Sequence, residues 1–396
     1  MRKVAVVGVG ITKFGSRRPD ATFWELAYDS VRLAMEDAGL SSLKTVDSTV
    51  VGMFHDMLAR QVAPEDHIYE YIGMADKPGT RVAGGGATGA VAARVGFVEV
   101  ASGLSDTSIV LGTEKFTDVL DTAEQLKTIG YILDNNFSPS SLGTTGFNCF
   151  APQIQSHMHE FGTTEEQMAK VAVKNRKNAL NNPNAHGGKL ITVEDVLKSR
   201  MVGTPYKFYD CCLYSEGAAA IILTCEKNVK KFPKKPVWIT GIGSATAAAR
   251  SGDRARVPGH STYISIVNAA KQAYKMAGIT NPLKEIDVAE IHDAFTGVEL
   301  MTYEDLGFCE KGKGGEFIDK GIPEMGGALP VNPSGGLLGF GHPIGGTGIW
   351  QIGMITKQIR GEAGKMQVKN GKVKRGLTGN GGGEGMCNYV VHILEG

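Results

Sequence analysis

One pattern of secondary structure occurs twice along the chain, and this duplication limits its possible folds more than any other feature. Residues 22–39 have the apolar spacing of a helix that ends near Gly39, and residues 46–54 then have the character of a strand. Far downstream the same pair returns, as a helix over 262–277 and a strand over 286–291. The sequence therefore predicts two similar α/β halves.

Each half continues in the same way. A glycine-rich stretch that suits a closely packed helix follows at 84–104 in the first half and at 335–360 in the second. A buried strand is predicted after each stretch, at 107–111 and at 374–378. The repeated order of strand, helix, strand, helix and strand is typical of an α/β fold.

The first half is interrupted by an insertion. Residues 117–205 are more polar and helical than their surroundings, and a buried strand at 218–225 then returns to the first half. We therefore predict a first half at 1–116 plus 206–232, an inserted loop domain at 117–205 that covers a site, and a second half at 233–396.

Composition excludes several classes of function. The 396 residues include 42 Lys plus Arg and 41 Asp plus Glu, so no net field draws the chain to nucleic acid or to an anionic membrane. No apolar run is long enough for a signal peptide or a bilayer span, which predicts a soluble, cytoplasmic protein. The six cysteines have neither CxxC spacing nor paired histidines, so we expect reduced thiols and no metal site.

A dinucleotide-binding loop is the first alternative to consider. Gly8 and Gly10 follow the predicted first strand as a turn, but the next glycine is Gly15 and not the third residue after Gly10. A dinucleotide-binding domain also leaves the duplication unexplained. The sequence therefore disfavours a dehydrogenase.

Two histidines lie where catalytic groups are commonly displayed. His292 ends a predicted buried strand, and His342 lies in the glycine-rich loop 339–348. A lone histidine is more often a hydrogen-bonded core residue, but the glycines around His342 favour a functional role. Asp293, next to His292, is a candidate N-cap for a helix that starts near Thr296.

These segments resemble the thiolase superfamily. Residues 335–348 look like the Gly-His-Pro loop of thiolases, and His292-Asp-Ala-Phe295 looks like the HDCF motif of their archaeal and sterol-carrier-protein branch. The segments 210–217, 306–315 and 329–336 are also similar to that branch. The resemblance covers the whole chain. It implies a five-layered αβαβα thiolase fold, coenzyme A thioesters as substrates, and a homodimer or dimer of dimers.

The departures from the family concern its cysteines. Where the family has its nucleophilic cysteine, this chain reads Arg81-Val-Ala-Gly-Gly-Gly-Ala-Thr-Gly89, with Gly86 at the position of the missing nucleophile. Ala294 replaces the cysteine of HDCF, and the late loop 376–385 contains no cysteine. A covalent acyl-enzyme of the usual kind is therefore not expected.

The resemblance also implies roles for the remaining residues. His342 and Asn380 are expected as oxyanion or proton-transfer groups, with His292 beside them, and Glu384 is either an acid or base or an exposed loop charge. Coenzyme A is expected against the region 248–260, unless that region is only a solvated basic loop. The residues expected to contact it are Arg250, Arg254, Arg256, Gly341 and Gly382.

Three functions remain open at this stage. The first is thiolytic cleavage, or the reverse Claisen condensation, of a 3-oxoacyl-CoA with free coenzyme A as the nucleophile. The second is a retro-aldol cleavage of a 3-hydroxyacyl-CoA, and the third is a binding subunit without catalysis. The retained His342 and His292 favour the first, because the similar cysteine-less steroid side-chain aldolases depart from the Gly-His-Pro histidine.

The resemblance extends to partners and substrates. Members of this branch often pair with a small protein that combines an OB fold with a zinc ribbon, which implies such a partner here. An aromatic or branched acyl group, as in benzoylsuccinyl-CoA, is then the expected substrate. Cys149, within the insertion, either reaches the cleft from a new direction or packs in the insertion.

Overall fold

The computed structural model describes residues 1–118, 121–133, 149–250, 260–368 and 372–396. Arg254 and Arg256 lie outside this range. The strands in the described part are β1 (Val4–Ile11), β2 (Ser48–Gly52), β3 (Gly79–Val82), β4 (Thr107–Glu114), β5 (Met201–Gly203), β6 (Tyr206–Lys207), β7 (Gly217–Cys225), β8 (Val237–Thr246), β9 (Val288–Ile291), β10 (Arg375–Gly382) and β11 (Asn388–Glu395).

Helices connect and cover these strands. In the described residues they are α1 (Phe23–Ala38), α2 (Asp56–Ala59), α3 (Pro64–Tyr71), α4 (Thr88–Ser102), α5 (Thr122–Gly130), α6 (Ala151–Phe161), α7 (Glu165–Ala179), α8 (Val193–Leu197), α9 (Ile264–Ala277), α10 (Pro282–Glu285), α11 (Thr296–Asp305), α12 (Gly314–Asp319), α13 (Gly336–Gly339) and α14 (Thr347–Arg360). The helices expected at 22–39 and 262–277 are confirmed as α1 and α9.

The two halves have the same strand order. The sheet runs β3-β2-β4-β7-β1 and continues as β8-β11-β10-β9, so β2-β4-β7-β1 corresponds to β9-β10-β11-β8. In each set the first pair is parallel and the next two pairs are antiparallel. The short pairing of β1 with β8 joins the two sets. The duplication expected from the sequence is therefore confirmed, whereas the exact domain boundaries stay a prediction.

The layers follow from which helix covers which sheet face. Helix α1 packs on the outer face of the first set of strands and α9 on the outer face of the second. Helices α4 and α14 pack against each other between the two sets. Strand β1 is buried on both faces, because Ala5 and Val7 contact the α1 side while Val4 and Val6 belong to the central core. The result is the expected αβαβα arrangement.

Two sequence expectations about glycines were wrong. Gly8 and Gly10 lie within β1 and not in a turn after it, because α1 crosses them so closely that a Cβ at Gly8 would stand 2.5 Å from Ala34 O. The stretch 335–360 is not one helix but α13, a loop and α14. Gly341 in this loop has φ 128°, and Pro343 has no N–H to donate, so the helix cannot continue through them.

Glycines also bring the central helices together. A Cβ at Gly89, in the first turn of α4, would lie 2.6 Å from Gly348 N, 2.8 Å from Gly345 O and 3.1 Å from Ile349 N. All three are backbone atoms in the first turn of α14 or in the turn just before it, so no side-chain rotation would relieve the clash. The first turns of α4 and α14 are therefore fixed against each other by the absence of side chains.

This contact leads to a prediction about the stability of the protein. Gly89→Ala is expected to lower the free energy of unfolding by about 2–3 kcal/mol, because the backbone clash outweighs the better helix propensity of alanine. Gly326→Ala is the matched control, since nothing lies within 4 Å of its Cβ position. The control should change stability by less than about 0.5 kcal/mol. Urea unfolding followed by circular dichroism measures both, and equal stabilities of the two variants would contradict the packing described.

Candidate active site

A small cavity lies where the central helices begin and the parallel strands β9 and β10 end. Its volume is about 70 Å³, enough for a reacting group but not for a whole acyl chain. Most of its wall is apolar, and the polar atoms come from few residues. The described residues that line it are Phe54, Gly86, Ile129, Ile132, Phe150, Cys212, Tyr214, His292, Ala294, Phe295, His342, Ile344, Gly382 and Gly383.

His292 and Asn380 are brought together by strand register. His292 follows the last residue of β9, and Ile291 pairs with Gly379 in the parallel strand β10. Asn380 Nδ2 then lies 2.9 Å from His292 Nδ1. Because an amide nitrogen only donates, His292 Nδ1 accepts this bond and the ring proton lies on Nε2. His292 is thereby a hydrogen-bond donor through Nε2.

His342 has the opposite tautomer. Its Nδ1 lies 2.7 Å from Thr347 Oγ1, and that hydroxyl donates to the Pro343 carbonyl at 2.9 Å. Thr347 Oγ1 has no second proton, so it accepts from His342 Nδ1–H, and Nε2 keeps a lone pair. The backbone of His342 is held by Ser215 Oγ, 2.9 Å from its N–H. His342 is thereby a hydrogen-bond acceptor, and a base, through Nε2.

Both imidazoles are neutral. Their ring centroids are 5.2 Å apart at an interplanar angle of 89°. Burial lowers the pKa of His342 to about 3. Burial, with a smaller contribution from His342, also lowers the pKa of His292 well below its ordinary value. The cavity therefore presents one neutral donor and one neutral acceptor at physiological pH.

Gly86 meets the end of β10 backbone to backbone. A Cβ at Gly86 would stand 2.5 Å from Gly381 O, 3.2 Å from Gly382 Cα and 3.4 Å from His292 Cε1. Gly86 also lies two residues before the first residue of α4, so the positive end of that helix dipole is at the cavity. The backbone of β10 thus occupies the space that a side chain at Gly86 would need.

Buried carboxyl groups hold the loops around the histidines. Asp293 accepts from the backbone N–H groups of Leu337 and Leu338, at 2.7 and 3.2 Å. It therefore caps α13, and the expectation that it caps the helix near Thr296 was wrong, since α11 begins after Phe295 without a side-chain cap. Glu114 binds Gly345 N at 2.9 Å, and burial raises its pKa to about 8.

Sequence reasoning missed two residues that line the cavity. Cys212 and Tyr214 belong to the segment 210–217, which the sequence analysis recognised without giving its members a role. Burial raises the pKa of the Cys212 thiol to about 12, so it is protonated at neutral pH. The pairing of Tyr214 with His342 brings this segment to the cavity. Only tertiary pairing reveals their position.

Of the other residues predicted for the site, some lie at the cavity and others do not. Gly382 lines the cavity, and Gly341 passes close to Ser215 and His186. The described lining does not include Glu384, which is half-buried in the turn after β10, nor Arg250, which is exposed. Cys149 is buried in the central core and is likewise absent from the described lining.

The described residues contain neither a metal-binding cluster nor a membrane-spanning helix. No group of three or more His, Cys, Asp or Glu side chains there is arranged to hold a metal ion. None of the helices in that part of the chain is long and apolar enough to cross a bilayer.

Comparison with known families agrees with this architecture. Residues 4–193 match the family model "Thiolase, N-terminal domain", and residues 247–396 match "Thiolase C-terminal domain-like". The chain therefore belongs to the thiolase family. The family predicted from the loop 335–348 and from the HDAF segment is thus confirmed.

Individual relatives span more than one chemistry. The chain is 39% identical over 396 residues to an acetyl-CoA acetyltransferase of Methanothermobacter thermautotrophicus, covering 100% of both chains. It is 34% identical to the benzoylsuccinyl-CoA thiolase subunit BbsB of Thauera aromatica, covering 93% of this chain and 92% of that one. Among solved structures it resembles the Ltp2-ChsH2(DUF35) aldolase with a TM-score of 0.84 and 27% identity, covering 99% and 97% of the two chains.

The neutrality of the two histidines is directly testable. With isotope-labelled histidine, the NMR signals of His292 and His342 should stay in the neutral form from pH 8 to about pH 5.5, because burial disfavours the charged ring. An unfolded histidine titrates near pH ~6.5. His292→Gln and His342→Gln spectra assign the signals. A midpoint between about pH 6 and 7 for either ring would contradict the described burial.

Proposed function

We propose that this protein makes or breaks the C–C bond of a 3-oxoacyl-CoA, with free coenzyme A as the nucleophile. The observation that carries the proposal is the pairing of a neutral donor, His292, with a neutral acceptor, His342, in one cavity beside Gly86. A thioester reaction needs both groups. Gly86 supplies no side chain for a covalent intermediate.

His342 acts as the base in the proposed cleavage. Its Nε2 takes the proton of the coenzyme A thiol while the sulfur attacks the 3-oxo carbon, so the ring becomes charged only beside the forming oxyanion. The tetrahedral oxyanion then collapses, the bond between C2 and C3 breaks, and the electron pair moves into the enolate of the departing thioester. The His342 imidazolium returns its proton to C2. Two acyl-CoA molecules leave, and no net proton is consumed.

His292 and the start of α4 act as the oxyanion donors. His292 Nε2–H donates to oxygen that becomes negative, and Asn380 fixes the tautomer that makes this possible. The N-terminus of α4, next to Gly86, adds a favourable dipole. Because both histidine rings are buried, these interactions are stronger than in solution.

The cavity wall suits the part of an aromatic or branched acyl group that lies next to the reacting carbonyl. Phe54, Phe150 and Phe295 line it together with Ile129 and Ile344. The similarity to a benzoylsuccinyl-CoA thiolase subunit supports the same class of substrate. We therefore include acyl groups of the benzoylsuccinyl type in the proposal.

The proposal also includes a binding position for coenzyme A and partner subunits. The nucleotide end of coenzyme A is placed against the region 248–260, on the charge of Arg250, Arg254 and Arg256. A homodimer and a small OB-fold, zinc-ribbon partner are also proposed. The naming of one relative as a subunit, and of a similar structure as a two-protein aldolase, supports the partner.

A retro-aldol reaction is the second candidate. The structural similarity to an aldolase favours it, and so does the glycine at position 86. In that reaction a base removes the hydroxyl proton of a 3-hydroxyacyl-CoA, and the products are an aldehyde or ketone and one acyl-CoA. His342 Nε2 serves as the base in either case. The two reactions differ in whether free coenzyme A is consumed.

The requirement for coenzyme A separates the two candidates. Cleavage of a 3-oxoacyl-CoA is expected only with added free coenzyme A, and initial-rate plots should intersect, because both substrates bind before a product leaves. His342→Ala should lower kcat by roughly 10²-fold or more, because the base is lost. Product chromatography with and without coenzyme A measures both.

One control variant and two contrary results complete this test of the thiolytic proposal. His159→Ala changes an exposed histidine on α6 and should leave kcat unchanged. Release of an aldehyde or ketone from a 3-hydroxyacyl-CoA without coenzyme A would replace the thiolytic proposal with the aldol one. Absence of product from both substrates would support a binding subunit without catalysis.

The absence of a covalent intermediate gives a separate prediction. Intact-protein mass spectrometry after incubation with an acyl-CoA should show no added acyl mass, because Gly86 has no side chain and Cys212 is a protonated thiol. Cys212→Ala should therefore retain most of the activity. An acyl adduct that disappears in Cys212→Ala but persists in Cys225→Ala would show instead that Cys212 is the nucleophile.

A further inference from the structure

A second, larger cleft adjoins the catalytic cavity. Its volume is about 690 Å³, and Cys212 and Tyr214 line both spaces. The cleft therefore begins where the cavity wall ends. Its described lining consists of Ser16, Leu126, Arg176, His186, Gly187, Gly188, Lys189, Arg200, Val202, Phe208, Cys211, Cys212, Leu213 and Tyr214.

This cleft is positively charged. Arg176, Lys189 and Arg200 line it, and none of its described lining residues is an aspartate or glutamate. Lys189 and Arg200 are exposed at the rim. Burial, and to a smaller extent the charge of Arg176, lower the pKa of His186 to about 4. The cleft thus favours an anion by long-range attraction as well as by contact.

Arg176 is the unusual member of the group. It is only 4% exposed, and its Nε and Nη2 atoms are buried without a hydrogen-bond partner. Nη1 makes a long bond of 3.4 Å to Gly187 O, and the guanidinium lies 5.0 Å from the centre of the Tyr209 ring. A buried guanidinium with unused donors costs stability unless an anion pairs with it.

We propose that this cleft binds a free carboxylate at the far end of the substrate's acyl chain, with Arg176 as the charged anchor. A carboxylate accepts two parallel bonds from a guanidinium, which matches the two unused donor atoms. Lys189 and Arg200 add charge at the rim. The inference rests on the proposed function and names its substrate class as dicarboxylic 3-oxoacyl thioesters.

Position favours the acyl chain over coenzyme A as the source of the anion. Arg176 lies close enough to Cys212 for its charge to affect the Cys212 thiol, and Cys212 lines the catalytic cavity. The cleft that Arg176 lines therefore meets the cavity of His292 and His342 at Cys212. The phosphates of coenzyme A are separated from its sulfur by the whole pantetheine arm, whereas a short diacid places its carboxylate a few bonds from the thioester.

Two thioesters of equal chain length test the inference. 3-Oxoadipyl-CoA ends in a carboxylate and 3-oxohexanoyl-CoA ends in a methyl group. Their dissociation constants are measured by calorimetry in a His342→Gln background, which prevents turnover. Arg176→Met should weaken binding of 3-oxoadipyl-CoA by about 10- to 100-fold and of 3-oxohexanoyl-CoA by less than about 3-fold. Lys177→Met, the exposed neighbour on α7, is the control and should weaken neither.

The remaining outcomes are also decisive. Equal weakening of both thioesters together with free coenzyme A would show that Arg176 binds a phosphate, and unchanged binding would show no anion site; either result overturns the inference. Should Arg176→Met not fold, Lys189→Met with Arg200→Gln must weaken 3-oxoadipyl-CoA selectively. Failure of the proposed function is separate, because it appears as no product from either thioester in the native protein.

Discussion

Close backbone contact between glycine-rich segments is the constraint on which the rest of this structure depends. Gly89 in α4 fits against the first residues of α14, and Gly86 fits against the end of β10. Each pair joins one half of the duplicated fold to the other. Because interiors are close-packed, a single added methyl group at such a contact would move the halves apart. The cavity that contains His292 and His342 lies between these contacts, so its dimensions follow from them.

The same contacts explain how two ordinary histidines acquire different roles. His292 and His342 are neutral because the packed halves exclude water from both rings. Their tautomers differ because one ring faces an amide donor and the other faces a hydroxyl that is already donating. Asp293 and Glu114 hold the loops that carry them. The charge and the tautomers of the two histidines are thus set by neighbouring residues that do not themselves touch a substrate.

The family relationship does not settle which reaction this protein catalyses. The geometry of the site reduces the number of possible reactions. Relatives of this chain include an acetyltransferase and a thiolase subunit, while a similar structure is an aldolase. A site without a thiol at Gly86 excludes the covalent intermediate there but keeps proton transfer and oxyanion stabilisation. The basic cleft beyond Cys212 adds a means of selecting the acyl group. The cleft selects which acyl group binds, and it does not determine which bond of the substrate breaks.

Local patterns in the sequence were enough to predict the duplicated α/β architecture and the family. They also singled out Gly86, His292 and His342, which the structure brings together in one cavity. Periodicity and glycine clusters indicate α1, α9 and the two parallel strand pairs, and motifs around His292 and His342 are local in the chain. Tertiary structure alone decided that Gly8 and Gly10 lie inside β1, that Asp293 caps α13, and that Cys212 lines the cavity. It also decided that Arg176 is buried with its Nε and Nη2 atoms unpaired. These facts depend on contacts between residues far apart in the chain, which no local pattern encodes.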